Sequence, residues 1–318
     1  MDVSVYAGTV GWGVWRSDDL GESWRFAFEG LPVEMRTWAL SSHADQPGVV
    51  WAGTDIGLLR QDEDGRGQFV PSPGDGKQIW SVTQSVSDSH RIFIGTNPGA
   101  IFRSDDAGRT WERLPIQLVD ECPIGKPRIT RIRFDPMDDA TIWASAEIDA
   151  VHRSRDYGET WERSEEGFRF PDIHDIAIAE VEGKRKLLTA TALGLYESFD
   201  DAASWEWREL DSPWQYTRGI KPKADYDGTV FLCNGDGPPG STGRLLRSRD
   251  WGSTWEDCNL PGSVNSTPWM VAENAADADL LFCCTNLGQV YRSQDGGEEW
   301  QKLRREFGEI RTMLWHPC

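Results

Sequence analysis

The chain is a succession of short segments in which apolar and polar residues alternate, separated by turns rich in glycine, aspartate and serine. Alternation with a period of two is the pattern of β-strands, because successive side chains point to opposite faces of a sheet. One unit consists of segments 78–83, 91–96 and 100–104, followed by a fourth that starts near Trp111. The pattern predicts an all-β protein built from four-stranded units.

A short motif recurs at the end of the third segment of most units. Residues 17–24 read Ser-Asp-Asp-Leu-Gly-Glu-Ser-Trp, and segments 104–111, 154–161 and 248–255 follow the pattern Ser-x-Asp-x-Gly-x-Thr-Trp. Looser copies occupy 198–205 and 293–300, and a decayed copy occupies 61–65. The Asp and Gly of the motif suit a tight turn. The period of roughly 45 residues is the length of one propeller blade.

This motif resembles the Asp-box, the repeat of bacterial neuraminidases, and the resemblance spans nearly the whole chain. It implies a β-propeller. Proteins with this repeat include sialidases, xyloglucanases, sortilin-type receptors and photosystem II assembly factors. That range indicates that the repeat marks a fold and not a reaction.

The two ends of the sequence complete one blade between them. Segment 309–315 reads as an inner strand with no strands after it, and the first residues read as a second strand without an inner partner. Pairing the two leaves no open sheet edge. The expected fold is therefore a seven-bladed β-propeller, closed by N- and C-terminal strands that share one blade. Residues 1–318 are expected to form one domain.

Charge and hydropathy narrow the range of partners. The net charge of −19 argues against a nucleic-acid-binding or anionic-membrane-binding surface. No window approaches the roughly 18 apolar residues of a membrane span. The first residues read as a strand and not as a signal peptide, which predicts a cytoplasmic location. No Cys/His cluster has metal-ligand spacing, so neither a metal nor another cofactor is implied.

The inner strands of a propeller line its axis, and we expect a pocket where these strands begin. Alignment on their aliphatic residues gives one position per blade: Trp38, Trp80, Arg131, Asp175, Arg218, Trp269 and Thr312. The residues just before them include Arg36, His174, Tyr216 and Arg311. Such a set predicts stacking walls and anion-binding guanidinium groups. Alternatively, the tryptophans seal the channel and the arginines pair internally with Asp175.

We therefore predict a substrate-binding set that consists of Arg36, Trp38, Trp80, Arg131, Tyr216, Arg218, Trp269 and Arg311. Asp175 and Glu147 are expected to face this pocket as general acid and base. His174 is either a further general base or a hydrogen-bonded residue of the rim.

The predicted function is that of a hydrolase or lyase acting on an anionic, sugar-containing small molecule. Sialidases resemble this chain in having several arginines, a tyrosine and an aspartate at the propeller centre. However, the Phe/Tyr-Arg-Ile-Pro sequence is missing near the N-terminus, and seven blades replace the six of sialidases. The alternative is a non-catalytic propeller, an assembly factor or scaffold that binds a ligand or a protein. The expected partner is accordingly a small molecule or glycan, or else a protein.

Overall fold

The computed structural model describes residues 1–73, 76–123 and 125–318. These residues form twenty-eight strands in seven four-stranded antiparallel sheets, which confirms the seven-bladed all-β fold. Among the residues described, no helix is long and apolar enough to cross a membrane.

Each blade consists of an inner strand at the axis and three strands that follow it outward. The strands of blades 1 to 4 are β1 (Val3–Thr9), β2 (Val14–Ser17), β3 (Arg25–Phe26), β4 (Thr37–Ser41), β5 (Val50–Thr54), β6 (Gly57–Gln61), β7 (Gly67–Val70), β8 (Gln78–Gln84), β9 (Ile92–Asn97), β10 (Ile101–Ser104), β11 (Glu112–Arg113), β12 (Arg128–Asp135), β13 (Asp138–Glu147), β14 (Val151–Ser154) and β15 (Glu162–Ser164).

The remaining strands form blades 5, 6 and 7 and complete blade 1. They are β16 (Ile173–Val181), β17 (Lys184–Thr191), β18 (Gly194–Ser198), β19 (Glu206–Arg208), β20 (Thr217–Pro222), β21 (Val230–Gly235), β22 (Gly243–Ser248), β23 (Glu256–Asp257), β24 (Pro268–Ala272), β25 (Leu281–Thr285), β26 (Val290–Ser293), β27 (Gln301–Lys302) and β28 (Ile310–Pro317).

Blade 1 joins the two ends of the chain, as the sequence predicts. Its strand order is β28, β1, β2, β3, so that the last strand is the inner strand of the first blade. The pairing of β1 with β28 runs from Val3 opposite Pro317 to Thr9 opposite Ile310. The ring is therefore closed by backbone hydrogen bonds.

The Asp-box turns join third strands to fourth strands through a shared set of hydrogen bonds. In the first copy the hydroxyl of Ser17 donates to Asp19 Oδ1 over 2.7 Å and accepts the N–H of Gly21 over 2.8 Å. Asp19 also accepts the N–H of Ser23 over 2.9 Å. Gly21 has φ +90°, and a Cβ at this residue would lie 2.4 Å from the side chain of Leu303. Both the backbone conformation and the close approach therefore require glycine here.

The decayed copy in blade 2 uses a different contact. Gln61, which occupies the Ser position, accepts the N–H of Phe28 over 2.9 Å and donates to the hydroxyl of Tyr6 over 2.9 Å. The loss of the motif in this blade is thus replaced by hydrogen bonds to blade 1.

The core lies between neighbouring blades. Each apolar cluster joins side chains of two adjacent sheets, such as Trp51 of blade 2 with Ile92 of blade 3, and Trp143 of blade 4 with Ile176 of blade 5. Fully burying a large apolar side chain stabilises the folded state by about 1.5–3 kcal/mol. Packing between blades therefore fixes the inner strands against one another.

The connections divide the molecule into two faces. The strand-start face carries the loops that lead into the inner strands and the turns between second and third strands. The Asp-box face carries the Asp-box turns and the loops that leave the inner strands. The antiparallel order of each blade produces this division.

Candidate functional site

Every inner strand contains a β-bulge close to its start. The pairing skips one residue between Thr37 and Ala39 and between Ile79 and Ser81, for example, and it shifts at the equivalent place in the other blades. A bulge inserts an extra residue and redirects its side chain. The residues at the bulges are Trp38, Trp80, Thr130, His174, Arg218, Trp269 and Arg311.

The alignment made from the sequence is therefore wrong by one residue in three blades. Arg131, Asp175 and Thr312 come directly after the bulge and are not equivalent to Trp38 or Trp80. The extra residue at a bulge shifts the alternation of side-chain direction along the strand by one position. Aligning the aliphatic residues of two inner strands therefore does not align the residues that precede them.

Seven side chains at the strand-start end of the axis contact one another in a closed circuit, which we call the axial ring. Its members are Trp38, Trp80, Arg128, Glu147, Arg218, Trp269 and Arg311. The guanidinium of Arg128 lies 5.0 Å from the ring centre of Trp80, which stacks on Trp38 with 4.7 Å between centroids. Cations over aromatic faces are attracted by the ring quadrupole.

The circuit continues through an arginine of blade 1, a tryptophan of blade 7 and an arginine of blade 6. Arg311 lies over both Trp38 and Trp269, at 5.5 and 4.6 Å from their ring centres. Arg218 lies 4.2 Å from the ring centre of Trp269 and 3.8 Å from a carboxylate oxygen of Glu147. Each aromatic face and each arginine of the axial ring therefore has a partner within the ring.

Glu147 is bound by two arginines. Its Oε2 lies 2.9 Å from Arg128 Nη1, and its Oε1 lies 3.8 Å from Arg218 Nη1. The side chain keeps 12% of its surface exposed. Both oxygens of the carboxylate thus face guanidinium groups of the axial ring.

His174 lies beside the axial ring and is buried. Its Nδ1 is 2.6 Å from the carbonyl oxygen of Thr217, so this nitrogen carries the proton and donates it. Its Nε2 lies 3.6 Å from Asp172 Oδ2, and the ring of Tyr216 is 5.2 Å away. Burial raises the pKa of Asp172, but its interactions with His174 and Arg218 outweigh burial and lower it. Burial raises the pKa of Tyr216.

Glu147, Asp172 and His174 offer ligand atoms that lie within 4.8 Å of one another. Two carboxylates and one imidazole are a donor set that divalent metals accept. However, Arg128 and Arg218 already neutralise this group of carboxylates. The positive charges of these two arginines take the place of the charge that a bound metal ion would supply.

Asp175 lies in the channel behind the ring and is 3% exposed. Arg133 Nη2 donates to both of its carboxylate oxygens over 3.0 Å, and the N–H of Ile176 donates over 2.9 Å. Arg131 Nε is 4.0 Å from Asp175 Oδ2. Asp175 and Glu147 therefore bind different arginines.

Arg133 was not among the predicted site residues, although Arg131 and Arg133 are two residues apart on one strand. Period-two alternation places both side chains on the same face. Arg36, by contrast, is an exposed residue whose backbone N–H donates to Asp55 Oδ1 over 2.9 Å.

A cavity of about 750 Å³ lies on the axis at the opposite end from the one expected. The later halves of the inner strands line it, with the loops that follow them on the Asp-box face. Arg131 and Arg133 belong to its lining. The difference arises because the bulky bulge residues meet one another at the strand-start end, whereas smaller residues such as Ala39 and Ala272 face the other end.

Comparison with known proteins agrees with the repeat and the fold. The family model described as the photosynthesis system II assembly factor YCF48 matches residues 170–314. The chain is a β-propeller with Asp-box turns. Among curated relatives of this Asp-box propeller, the photosystem II assembly lipoprotein Ycf48 of Synechococcus sp. (strain CC9902) is 30% identical over 106 residues. That match covers 33% of this chain and 29% of the relative, so it spans less than a third of the relative's length.

Solved structures extend the likeness in fold along most of the Asp-box propeller. An ancestral GH74 enzyme superposes with a TM-score of 0.68 at 12% identity, covering 88% of this chain and 38% of the enzyme. A structure of YCF48 bound to a D1 peptide superposes with a TM-score of 0.55 at 15% identity, covering 84% and 81% of the two chains. At these identities the likeness concerns the fold alone.

The predicted cytoplasmic location is wrong. It rested only on the first residues of the sequence, whereas the curated relatives are photosystem II assembly proteins, one of them named a lipoprotein.

Proposed function

We propose that this Asp-box propeller is a non-catalytic binding protein that holds a protein or peptide partner on its strand-start face. The observation that carries the proposal is a set of exposed apolar side chains on the turns between second and third strands. These residues are Trp12, Ile56, Leu193 and Leu287, in blades 1, 2, 5 and 7, and they are between 41% and 59% exposed. Four turns around the strand-start end of the axis thus each present an apolar side chain to solvent, and exposed apolar patches mark protein interaction sites.

The apolar turns surround the axial ring, whose side chains are charged and aromatic. The axial ring beneath them presents tryptophan and arginine, which are enriched in the residues that contribute most to binding. A partner that covers the apolar turns would bring polar or acidic groups over these arginines. The arrangement suits a folded protein edge or an extended peptide better than a small molecule.

The candidate catalytic residues support this proposal over a hydrolase or lyase. Asp175 is held by Arg133, and Glu147 by Arg128 and Arg218. A general acid or base must reach the reacting group of the substrate, and these carboxylates contact arginine side chains instead. The hydrolase or lyase hypothesis otherwise rests on a likeness in fold to GH74 enzymes, and fold does not determine chemistry.

The relatives suggest the first partner to test. The curated relatives are named photosystem II assembly proteins, and one structural neighbour, YCF48, is bound to a D1 peptide. Overlapping peptides that cover D1 are therefore the first probes, with binding measured by fluorescence anisotropy on the whole chain.

We expect at least one peptide to bind the wild-type chain, and Trp12→Ala combined with Leu287→Ala to weaken it by tenfold or more. Phe199→Ala is the matched control, because Phe199 is 52% exposed but lies in an Asp-box turn on the other face. Absence of binding by every peptide, or an equal loss in the control, would contradict the proposal.

A further inference from the structure

The axial cavity on the Asp-box face is independent of the proposed protein-binding surface. Its volume of about 750 Å³ lies within the range of small-molecule sites, about 300–1,000 Å³. Apolar residues form much of its wall, among them Val82, Met270 and Met313. The charged residues of its lining decide what the cavity would bind.

The charges at the inner end of the cavity do not balance. Arg131 and Arg133 both line the cavity, and Asp175 is the carboxylate they share. Arg133 Nη2 donates to both carboxylate oxygens of Asp175 over 3.0 Å, whereas Arg131 Nε lies 4.0 Å from Asp175 Oδ2. Two guanidinium groups against one carboxylate leave one excess positive charge, within a chain whose net charge is −19.

The other ionisable residues of the lining do not neutralise this charge. Lys221 and Glu273 form a pair with 2.5 Å between nitrogen and oxygen. Burial lowers the pKa of His316, which is therefore neutral at pH 7. His43 binds the carbonyl of Val86 at 3.2 Å, near the mouth of the cavity.

Arg131 itself has unused hydrogen-bonding capacity. In the part of the chain that the structure describes, its guanidinium makes one hydrogen bond, from Nη1 to the carbonyl of Thr130 over 3.1 Å. Burial lowers its pKa to about 10, Asp175 opposes that change, and the charges of Arg133 and Arg218 add to it. Arg131 thus remains protonated at pH 7, but its charge lacks a full counter-ion.

We infer that the axial cavity binds a small carboxylate, whose negative charge lies on Arg131 and whose apolar portion lies against Met270 and Met313. A guanidinium binds a carboxylate through two parallel hydrogen bonds. The neutral apolar walls suit an acid with a short hydrocarbon body. A free organic acid and the C-terminus of a peptide share this chemistry.

The test compares charged probes with uncharged ones on the whole chain at pH 7.5. Isothermal titration calorimetry is run with hexanoate against hexanamide, and with acetyl-Ala-Leu against its C-terminal amide. We expect each acid to bind at least tenfold more tightly than its amide. A tenfold preference for the peptide acid over hexanoate would identify a peptide C-terminus as the source, and the reverse would identify a free acid.

Arg131→Gln should weaken binding of the preferred acid by tenfold or more, because it removes the charge and the paired hydrogen bonds that would hold the carboxylate. Arg304→Gln is the matched control, because Arg304 is an exposed arginine in the loop between β27 and β28, outside the cavity lining, and its replacement should leave binding unchanged. Circular dichroism establishes that both variants are folded. If neither acid binds up to about 10 mM, a limit near 3 kcal/mol of binding free energy, the inference fails. It fails equally if acid and amide bind alike, or if Arg131→Gln binds as the wild type does.

Discussion

Replacing Asp175 with asparagine separates a structural role for this residue from a catalytic one. The substitution preserves side-chain size and removes the charge that Arg133 and Arg131 face. Removing one member of a buried ion pair costs about 3–5 kcal/mol, because the remaining charge is left without a partner. The side chain of Arg133 keeps 28% of its surface exposed, so we expect the lower end of that range.

The expected loss corresponds to a measurable change in melting temperature. Unfolding entropies of about 2.1 cal/mol/K per residue give about 0.67 kcal/mol/K for 318 residues. A destabilisation of about 3 kcal/mol therefore lowers the melting temperature by about 4 °C. Differential scanning calorimetry at pH 7 measures this difference directly.

Two further variants make the experiment decisive. Asp211→Asn changes an exposed aspartate and should alter stability by less than about 0.5 kcal/mol. Combining Asp175→Asn with Arg133→Met removes both partners and should recover part of the loss. An unchanged or higher melting temperature for Asp175→Asn would refute the reasoning. That result is typical of residues kept for function at a cost in stability, and it would favour a catalytic Asp175.

Two other predictions concern the Asp-box turns. Hydrogen bonds from Ser23 lower the pKa of Asp19 to about 2, below its usual 3.8, so the turn stabilises the fold above about pH 4 and loses this contribution as the pH falls towards 2. Urea unfolding midpoints should decrease over that interval, and a constant midpoint would contradict the prediction. Gly21→Ala should destabilise the chain by at least about 1 kcal/mol more than Gly11→Ala. Both glycines have φ near +90°, but only the first would place its Cβ against a leucine side chain, so equal losses in thermal unfolding would exclude the clash.

The fold could be predicted from the sequence because its determinants are local and repeated. Each Asp-box requires a carboxylate that accepts hydrogen bonds, a residue with a left-handed backbone conformation and a hydroxyl side chain within eight positions. Six copies in the sequence carry this pattern. The terminal strands could be paired because each lacked the partner that the other provides.

The site was harder to predict from the sequence than the fold, because it depends on which side chains of each inner strand point towards the axis. Because each inner strand has one inserted residue, Thr130, His174 and Arg311 are the residues equivalent to Trp38. Alternation alone indicated the residue that follows each of them in the sequence. Some partners of the charged residues come from other blades, far apart in the sequence. Arg218 binds Glu147 across two blade boundaries, a relationship that no local pattern contains, whereas Arg128 lies opposite Glu147 within one blade.

The shared blade imposes an order on synthesis. When residues up to Lys302 have emerged from the ribosome, the first strand still lacks its inner neighbour, and its unpaired backbone groups can bind another chain. Translation proceeds at about 5–20 residues per second, so the chain from Lys302 to the end of the last strand at Pro317 takes about 1–3 seconds to synthesise. Until then the nascent propeller has an open sheet edge, and any stalling of translation in this interval would prolong its exposure to aggregation.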